Sequence, residues 1–366
     1  MIYPHIAFKH LPLKVEEGDF FMGEAIISRG GTSGGSSSGN KGLITEIFTS
    51  NTLWKVPEGI RNNQVSVRIF GGGGGCSEDQ AGCGGFMNNG IVNISNDSEI
   101  YITIGDGGRE ILSNLTKSGG VTSFGTYLFA SGGTASYGGS GGGSGDNRCS
   151  GGIGIQFGGG GYGGLNSKWY PGSGGKWGGG GGSKFSNIGE YNYGLGGCLY
   201  ENSQNIYEIT GFSRLGGNGG NDTINAENGT NTIGMGLDFE GAGLGGGKYS
   251  GGGGYGGNGG YNCGGGGGYG ANGGNGILEP LRSVTSTGGG GGYGGDGGDG
   301  GGNCSAGGGG GYGKHGKGGG WDYKSNQPRL AGIAAGAGTF LRYTFEGNIS
   351  FAYGGSGICI LQYYID

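Results

Sequence analysis

The chain has 366 residues, of which 112 are glycine and 13% are charged, and its formal net charge is −5. Disordered chains are rich in charge and poor in aromatics; here 21 Tyr, 15 Phe and 4 Trp accompany the glycine, which points to an ordered protein. With 21 basic against 26 acidic residues there is no basic excess for phosphate contacts, so nucleic acid is excluded as a partner.

The first residues, MIYPHIAFKHLPLKVEEGDFF, lack the continuous apolar core of a secretory signal, and no stretch of the chain reaches the ~18 apolar residues of a membrane span. The expectation is therefore synthesis in a cytoplasm and no membrane insertion. Residues 1–28 read as an arm, and RGGTSGGSSSGNKG, residues 29–42, as a Gly/Ser linker without regular phase. From residue 43 the pattern changes to period two. Val65, Val67 and Ile69 alternate with Ser66, Arg68 and Phe70, and Ile100, Ile102 and Ile104 repeat the alternation before a glycine turn. The C-terminal stretch reads the same way in LRYTFEG, NISFAYGG and SGICILQYYID, with Ile358, Ile360 and Gln362 on one face. Strand signals at both ends, with helix signals nearly absent, predict an all-β chain with almost no α-helix. The simplest arrangement is a β-sandwich of residues 43–130 plus 338–366, with 131–337 as one large insertion.

Within the insertion, GGGGGYGGDGGDGGG (residues 288–302) carries Tyr293, Asp296 and Asp299 at intervals of three. The interval recurs in Tyr255, Asn258 and Tyr261, in Tyr269, Asn272 and Asn275, and in Leu215, Asn218 and Asn221. A flexible spacer has no reason to keep a phase, whereas a polyproline II helix has three residues per turn. The tracts are expected to be polyglycine II helices packed side by side, each with one decorated edge toward solvent and two bare edges toward neighbours. Ordering one residue costs roughly 1 to 2 kcal/mol, and a lone helix of this kind has no internal bonds to offset it. Only a bundle recovers the cost, through N–H to C=O bonds between chains and Cα–H···O contacts of about 0.5 kcal/mol each. With 6 prolines and frequent breaks in phase, a collagen triple helix is the weaker alternative. Tyr162, Tyr255, Tyr269, Tyr293 and Tyr312, each after a glycine run, should cover the flank of the slab with hydroxyls in water. The non-glycine loops should gather at its two ends.

Catalytic signals are weak. The three histidines are His5, His10 and His315, and none has an orienting partner at a recognisable spacing. Matches to G-x-G-x-x-G arise by chance in so glycine-rich a chain. Asp106, Asp296 and Asp299 lack the ligand pattern of a calcium roll and read as solvated carboxylates. Seven cysteines (Cys76, Cys83, Cys149, Cys198, Cys263, Cys304 and Cys359), with no Cys-x-x-Cys pair, read as buried thiols, with a Cys76–Cys83 bridge as the alternative. Neither an enzyme, a cofactor nor a metal site is expected. Rigid aromatics in the loops suit recognition better, and the candidates are Lys168, Trp169, Tyr170, Trp177, Tyr191, Tyr193, Trp321 and Tyr323.

FTSNTLWKVPEGI (48–60), VSVRIFGGGGG (65–75) and GGSGICILQYY (354–364) together resemble the glycine-rich domain of phage tail-fibre and baseplate proteins. The interspersed polyglycine is similar to the tip adhesins of T-even-like phages, in which packed polyglycine II helices carry variable loops. The resemblance covers roughly residues 46–366. It implies a virion tail protein, assembled in the host cytoplasm and released by lysis, that binds a bacterial surface receptor, protein or glycan, through its loops. Residues 1–42, outside the resemblance, would dock it to other tail proteins. A purely structural tail component is the alternative, and an ice-binding protein a more distant one. Packing within one chain or among three, as a homotrimer, is left open.

Overall fold

The computed structural model describes residues 42–76, 81–108, 118–134, 137–142, 153–154, 158–159, 161, 172, 174, 180–182, 218–229, 243–254, 256–278, 285–286, 288–300, 306–322, 327–338 and 353–365. It is almost entirely β. The one helical element among the described residues is a 3-10 turn at Arg61–Asn63. The predicted strands between 341 and 352 lie outside the described residues.

Two four-stranded antiparallel sheets contribute side chains to one buried apolar cluster. The first contains β1 (Gly42–Phe48), β3 (Gln64–Phe70), β4 (Met87–Asn93) and β14 (Ile358–Ile365), in the order β1-β14-β3-β4. The second contains β2 (Thr52–Lys55), β5 (Glu99–Thr103), β6 (Thr122–Phe124) and β7 (Leu128–Ala130), in the order β2-β5-β6-β7. The C-terminal strand β14 therefore sits between two strands from the start of the described chain, with Leu361 opposite both Glu46 and Val67. Val65, Val67 and Ile69 turn inward with Ile100, Ile102, Phe124, Cys359 and Leu361. Trp54 is buried among them, its ring 5.9 Å from Phe124 and 5.8 Å from Tyr363, and its indole N–H donates to Glu46 Oε1 at 3.2 Å. That bond supplies the polar partner a buried indole needs. Tyr363 also donates its hydroxyl proton to Glu46 Oε1.

The other face of the first sheet is covered at one end, which the alternation in β14 alone did not reveal. Phe70, Met87, Ile358 and Ile360 pack there against Tyr269, Tyr293 and Tyr312. These tyrosines are buried, not spread over a wet flank as expected. Their rings form a stack, Tyr269 to Tyr293 at 4.9 Å and Tyr293 to Tyr312 at 5.9 Å, and Phe70 closes on Tyr312 at 4.7 Å. Arg68 Nη1 donates to the Tyr293 hydroxyl at 3.2 Å, and its guanidinium lies 5.3 Å from that ring's centre. Tyr162 and Tyr255 lie outside the described residues.

The position of these tyrosines follows from how the glycine segments run. Gly292 donates to Gly295 O and Gly289 to Gly298 O, so the chain reverses at Tyr293–Gly294. Gly268 to Ala271 with Gly265 to Gly274, and Gly254 to Gly257 with Gly251 to Gly260, repeat the geometry; Gly311 to Gly316 with Gly308 to Gly319 gives a longer version. Each reversal needs a positive φ after the tyrosine position, met by Gly270 (64°) and Gly294 (68°) among others. Thus 288–302 is not one continuous rod. Tyr293 marks a turn, and only Asp296 and Asp299 share an edge.

Within a segment, the hydrogen-bond partner changes at every residue and returns at the fourth. Gly289, Gly290, Gly291 and Gly292 donate in turn to Gly298, Gly141, Gly266 and Gly295. Gly308 to Gly311 donate to Gly319, Gly82, Gly290 and Gly316, and Gly71 to Gly74 to Phe86, Gly120, Gly355 and Cys83. Interior segments therefore reach three neighbours through their N–H groups alone, where two bare edges were expected. A sheet strand has at most two neighbours in its hydrogen-bonding plane. All these bonds join segments of one chain.

Adding a methyl group at Gly274 would overlap the Gly298 carbonyl. Gly274→Ala is expected to abolish slow amide exchange across residues 257–300 while the two sheets keep theirs, as read by hydrogen exchange. Tyr293→Ala should destabilise by about 3–5 kcal/mol, as buried aromatic truncations do. Tyr293→Phe, which keeps the ring and loses the Arg68 bond, should cost about 1 kcal/mol in chemical denaturation.

Candidate functional site at the far end of the glycine block

The antiparallel run of segments from 251 to 336 has two ends. At one end are the reversals containing Tyr269, Tyr293 and Tyr312, docked on the first sheet. At the other, paired residues mark the stems of everything else: Gly260 with Gly265, Gly274 with Gly289, Gly298 with Gly308 and Gly319 with Gly336. The insertions between these pairs include β10 (Ile277–Leu278) with β11 (Thr285–Ser286), and β12 (Gly320–Asp322) with β13 (Gln327–Arg329). The described stems of these insertions thus share one end, while the other holds the tyrosine stack and the short turn through Lys314 and His315.

Of the candidate recognition residues, Lys168, Trp169, Tyr170, Trp177, Tyr191, Tyr193 and Tyr323 lie outside the described residues, and of Trp321 only the backbone, in β12, is described. Their stems are described. Gly172 donates to Gly161 O at 2.9 Å, closing 162–171, and Gly181 donates to Gly172 O at 3.0 Å, closing 173–180. The stretch 183–217 leaves from Gly182, bonded to Gly264 O at 3.1 Å, and returns at 218–220, where Gly220 donates to Ser250 O. The 323–326 stretch is closed by the pairing of Asp322 with Gln327. Gly264 and Gly320 belong to the end away from the tyrosines, so the stems for Tyr191, Tyr193 and Tyr323 share it with Trp321; those for 168–170 and 177 meet at Gly172.

The polar residues at threefold spacing form a grid along one side of the block. Asn258 Oδ1 accepts from the Leu244 N–H (2.8 Å), Asn272 Oδ1 from Asn258 N–H (2.9 Å) and Asp296 Oδ1 from Asn272 N–H (2.7 Å). A second column links Asn275 Oδ1 to Tyr261 N–H (2.8 Å) and Asp299 Oδ1 to Asn275 N–H (2.7 Å). In each case the glycine that follows donates its own N–H to the carbonyl of the same neighbour: Gly259 to Leu244, Gly273 to Asn258, Gly297 to Asn272, Gly276 to Tyr261 and Gly300 to Asn275. An Asx–Gly pair therefore clamps one residue of the adjacent row, the side-chain oxygen accepting from that residue's N–H and the glycine N–H donating to its C=O. These side chains are structural acceptors at positions expected to hold mere solvated decoration. The signal was in the sequence, as Asx–Gly at constant phase, but its meaning needed the neighbouring row.

Lys317 ends the second column, with Nζ 3.1 Å from Asp299 Oδ2. Burial holds the Asp296 carboxyl above the ordinary range; the Asn272 N–H bond and the charges of Lys317 and Arg329 oppose that, while Asp299 adds to it. Cys83 and Cys359 are buried and their thiols are pushed up to about 12 by desolvation, so neither is a ready nucleophile. Cys76 and Cys83 are buried thiols rather than the alternative bridge. His315 is exposed in the turn after Tyr312, and its carbonyl accepts from Ile333 N–H. No group of three metal-ligating side chains occurs among the described residues.

No family model, no curated protein and no solved structure matches this chain.

The raised Asp296 carboxyl gives a pH test. Between the unfolded value, about 3.9, and the raised folded value, the folded state holds more protons, so stability falls as pH rises through that window. Asp296→Asn keeps the Oδ1 acceptor and removes the titration. Its melting temperature should exceed that of the parent at pH 7, and the difference should vanish below the window.

Proposed function

We propose that this chain is a phage tail-fibre tip or baseplate-associated adhesin, in which a β-sandwich carries a block of polyglycine II helices and the block mounts loops that bind the bacterial surface. The cycling of hydrogen-bond partners with a period of three supports the helical reading, because a three-residue turn directs successive N–H groups to three neighbours. The observation that carries the function is the pinning of loop stems. Stretches with aromatic and charged candidates, 162–171, 173–180, 183–217 and 323–326, begin and end at residues held by backbone bonds in the glycine block or its hairpin. Loops whose ends are fixed lose less entropy on contact than free ones, so more of the contact energy appears as affinity. Multiple copies on a particle would turn weak contacts into avidity. The partner is a protein or glycan of the host surface, and residues 1–42 attach the chain to other tail proteins.

The outer face of the second sheet favours a second reading, a structural tail component without host contact. Leu53 and Tyr101, a cross-strand pair, and Phe129 are each half or more exposed there, and such a face suits packing against a neighbouring subunit. Replacing 162–171, 173–180, 183–217 or 323–326 in turn by short glycine loops separates the two. Under the adhesin reading at least one replacement leaves particles assembled but slows their adsorption to host cells. Normal adsorption for all four would leave only the structural component.

A further inference from the structure

Asn–Gly is the dipeptide most prone to spontaneous deamidation. The backbone nitrogen of the glycine attacks the asparagine Cγ, ammonia leaves, and a succinimide forms; water then opens either carbonyl of the ring, giving aspartate or isoaspartate. Two freedoms are required. The glycine N–H must be free to lose its proton, and the side chain must swing until Cγ meets that nitrogen.

At Asn258, Asn272 and Asn275 the block removes both freedoms at once. The Asn272 side chain is turned to the next row, where Oδ1 takes the Asn258 N–H at 2.9 Å, while the Gly273 nitrogen donates to Asn258 O at 2.8 Å. Leu244 grips Asn258 and Gly259 in the same way, and Tyr261 grips Asn275 and Gly276. Asn228 is a variant: Oδ1 takes the Gly245 N–H and Gly229 donates to Gly243 O, both at 2.8 Å. The side chains at 258, 272 and 275 are nevertheless exposed, so water has access to all three. The same clamp positions in the next row hold Asp296–Gly297 and Asp299–Gly300, the sequences that simple deamidation would produce.

We propose that Asn228, Asn258, Asn272 and Asn275 are latent deamidation sites that the glycine block keeps silent, and that isoaspartate formed at them while the block is open prevents its reassembly. Aspartate leaves the Oδ1 acceptor and the backbone unchanged. Isoaspartate reroutes the main chain through the side chain and adds a backbone carbon, which shifts the threefold phase of every glycine that follows. Opening of the block thereby becomes a one-way event in an aged chain.

The test is to incubate the intact chain, the urea-unfolded chain and a synthetic peptide of residues 270–276 in heavy-oxygen water at mildly alkaline pH, and to follow each site by peptide mass spectrometry. The native chain should react at least about 100-fold more slowly than the unfolded chain at Asn228, Asn258, Asn272 and Asn275, and than the peptide at Asn272 and Asn275, as expected when reaction requires opening of a protected unit. Equal rates would overturn the silencing. The aged, unfolded chain is then returned to native conditions and its amide exchange measured. Molecules with isoaspartate at these sites should remain unprotected over residues 257–300, whereas an Asn258→Asp variant regains protection. Full protection of the isoaspartate chains would overturn the phase argument.

Discussion

Backbone bonding between segments with no side chain in the way is the condition on which the structure rests. Each N–H in an interior glycine segment points to a different neighbour from the one before it, so a segment is satisfied only when several others are already in place. A net hydrogen bond contributes about 0.5–1.5 kcal/mol, and ordering a residue costs roughly 1–2 kcal/mol. Per residue the two terms nearly cancel. Among the described residues the apolar clusters are centred on the strands of the two sheets and on the tyrosine stack, with a small one at Cys76 and Ala337. Anchoring on the first sheet is therefore part of what makes the block stable.

That anchoring explains the chemistry of the two ends. A Tyr–Gly pair after a glycine run does two jobs: the glycine adopts the positive φ of the reversal, and the ring leaves the glycine block for the apolar face of β3 and β14. The described stems of the insertions that carry β10 to β13 lie at the other end. Between the ends, Asx–Gly clamps satisfy N–H groups along the exposed side that no glycine carbonyl reaches. Lys317 closes the grid where the acceptor series stops. Few side-chain types are needed, since the backbone provides most of the contacts.

The site is legible in the sequence only in outline. The aromatic and charged stretches around residues 168–177, 191–193 and 321–323 stand out against the glycine, but the described residues fix their stems, not their side chains. Trp54 and Glu46 are a contrasting case: a tryptophan beside a strand is visible in sequence, yet its partner eight residues back is chosen by the fold.

Local pattern by itself determined the strands and the importance of threes. Val65, Val67 and Ile69 are the inward face of β3 because side chains alternate along any strand, and the phase of Asn272 and Asn275 survives in the grid, where both side chains accept from the adjacent row. Tertiary structure alone decided where the segments reverse, which end receives the tyrosines, and that the first half of β14 is buried on both faces. Those outcomes depend on which chain lies alongside. Glycine, having no side chain, states that a neighbour comes close without stating which one.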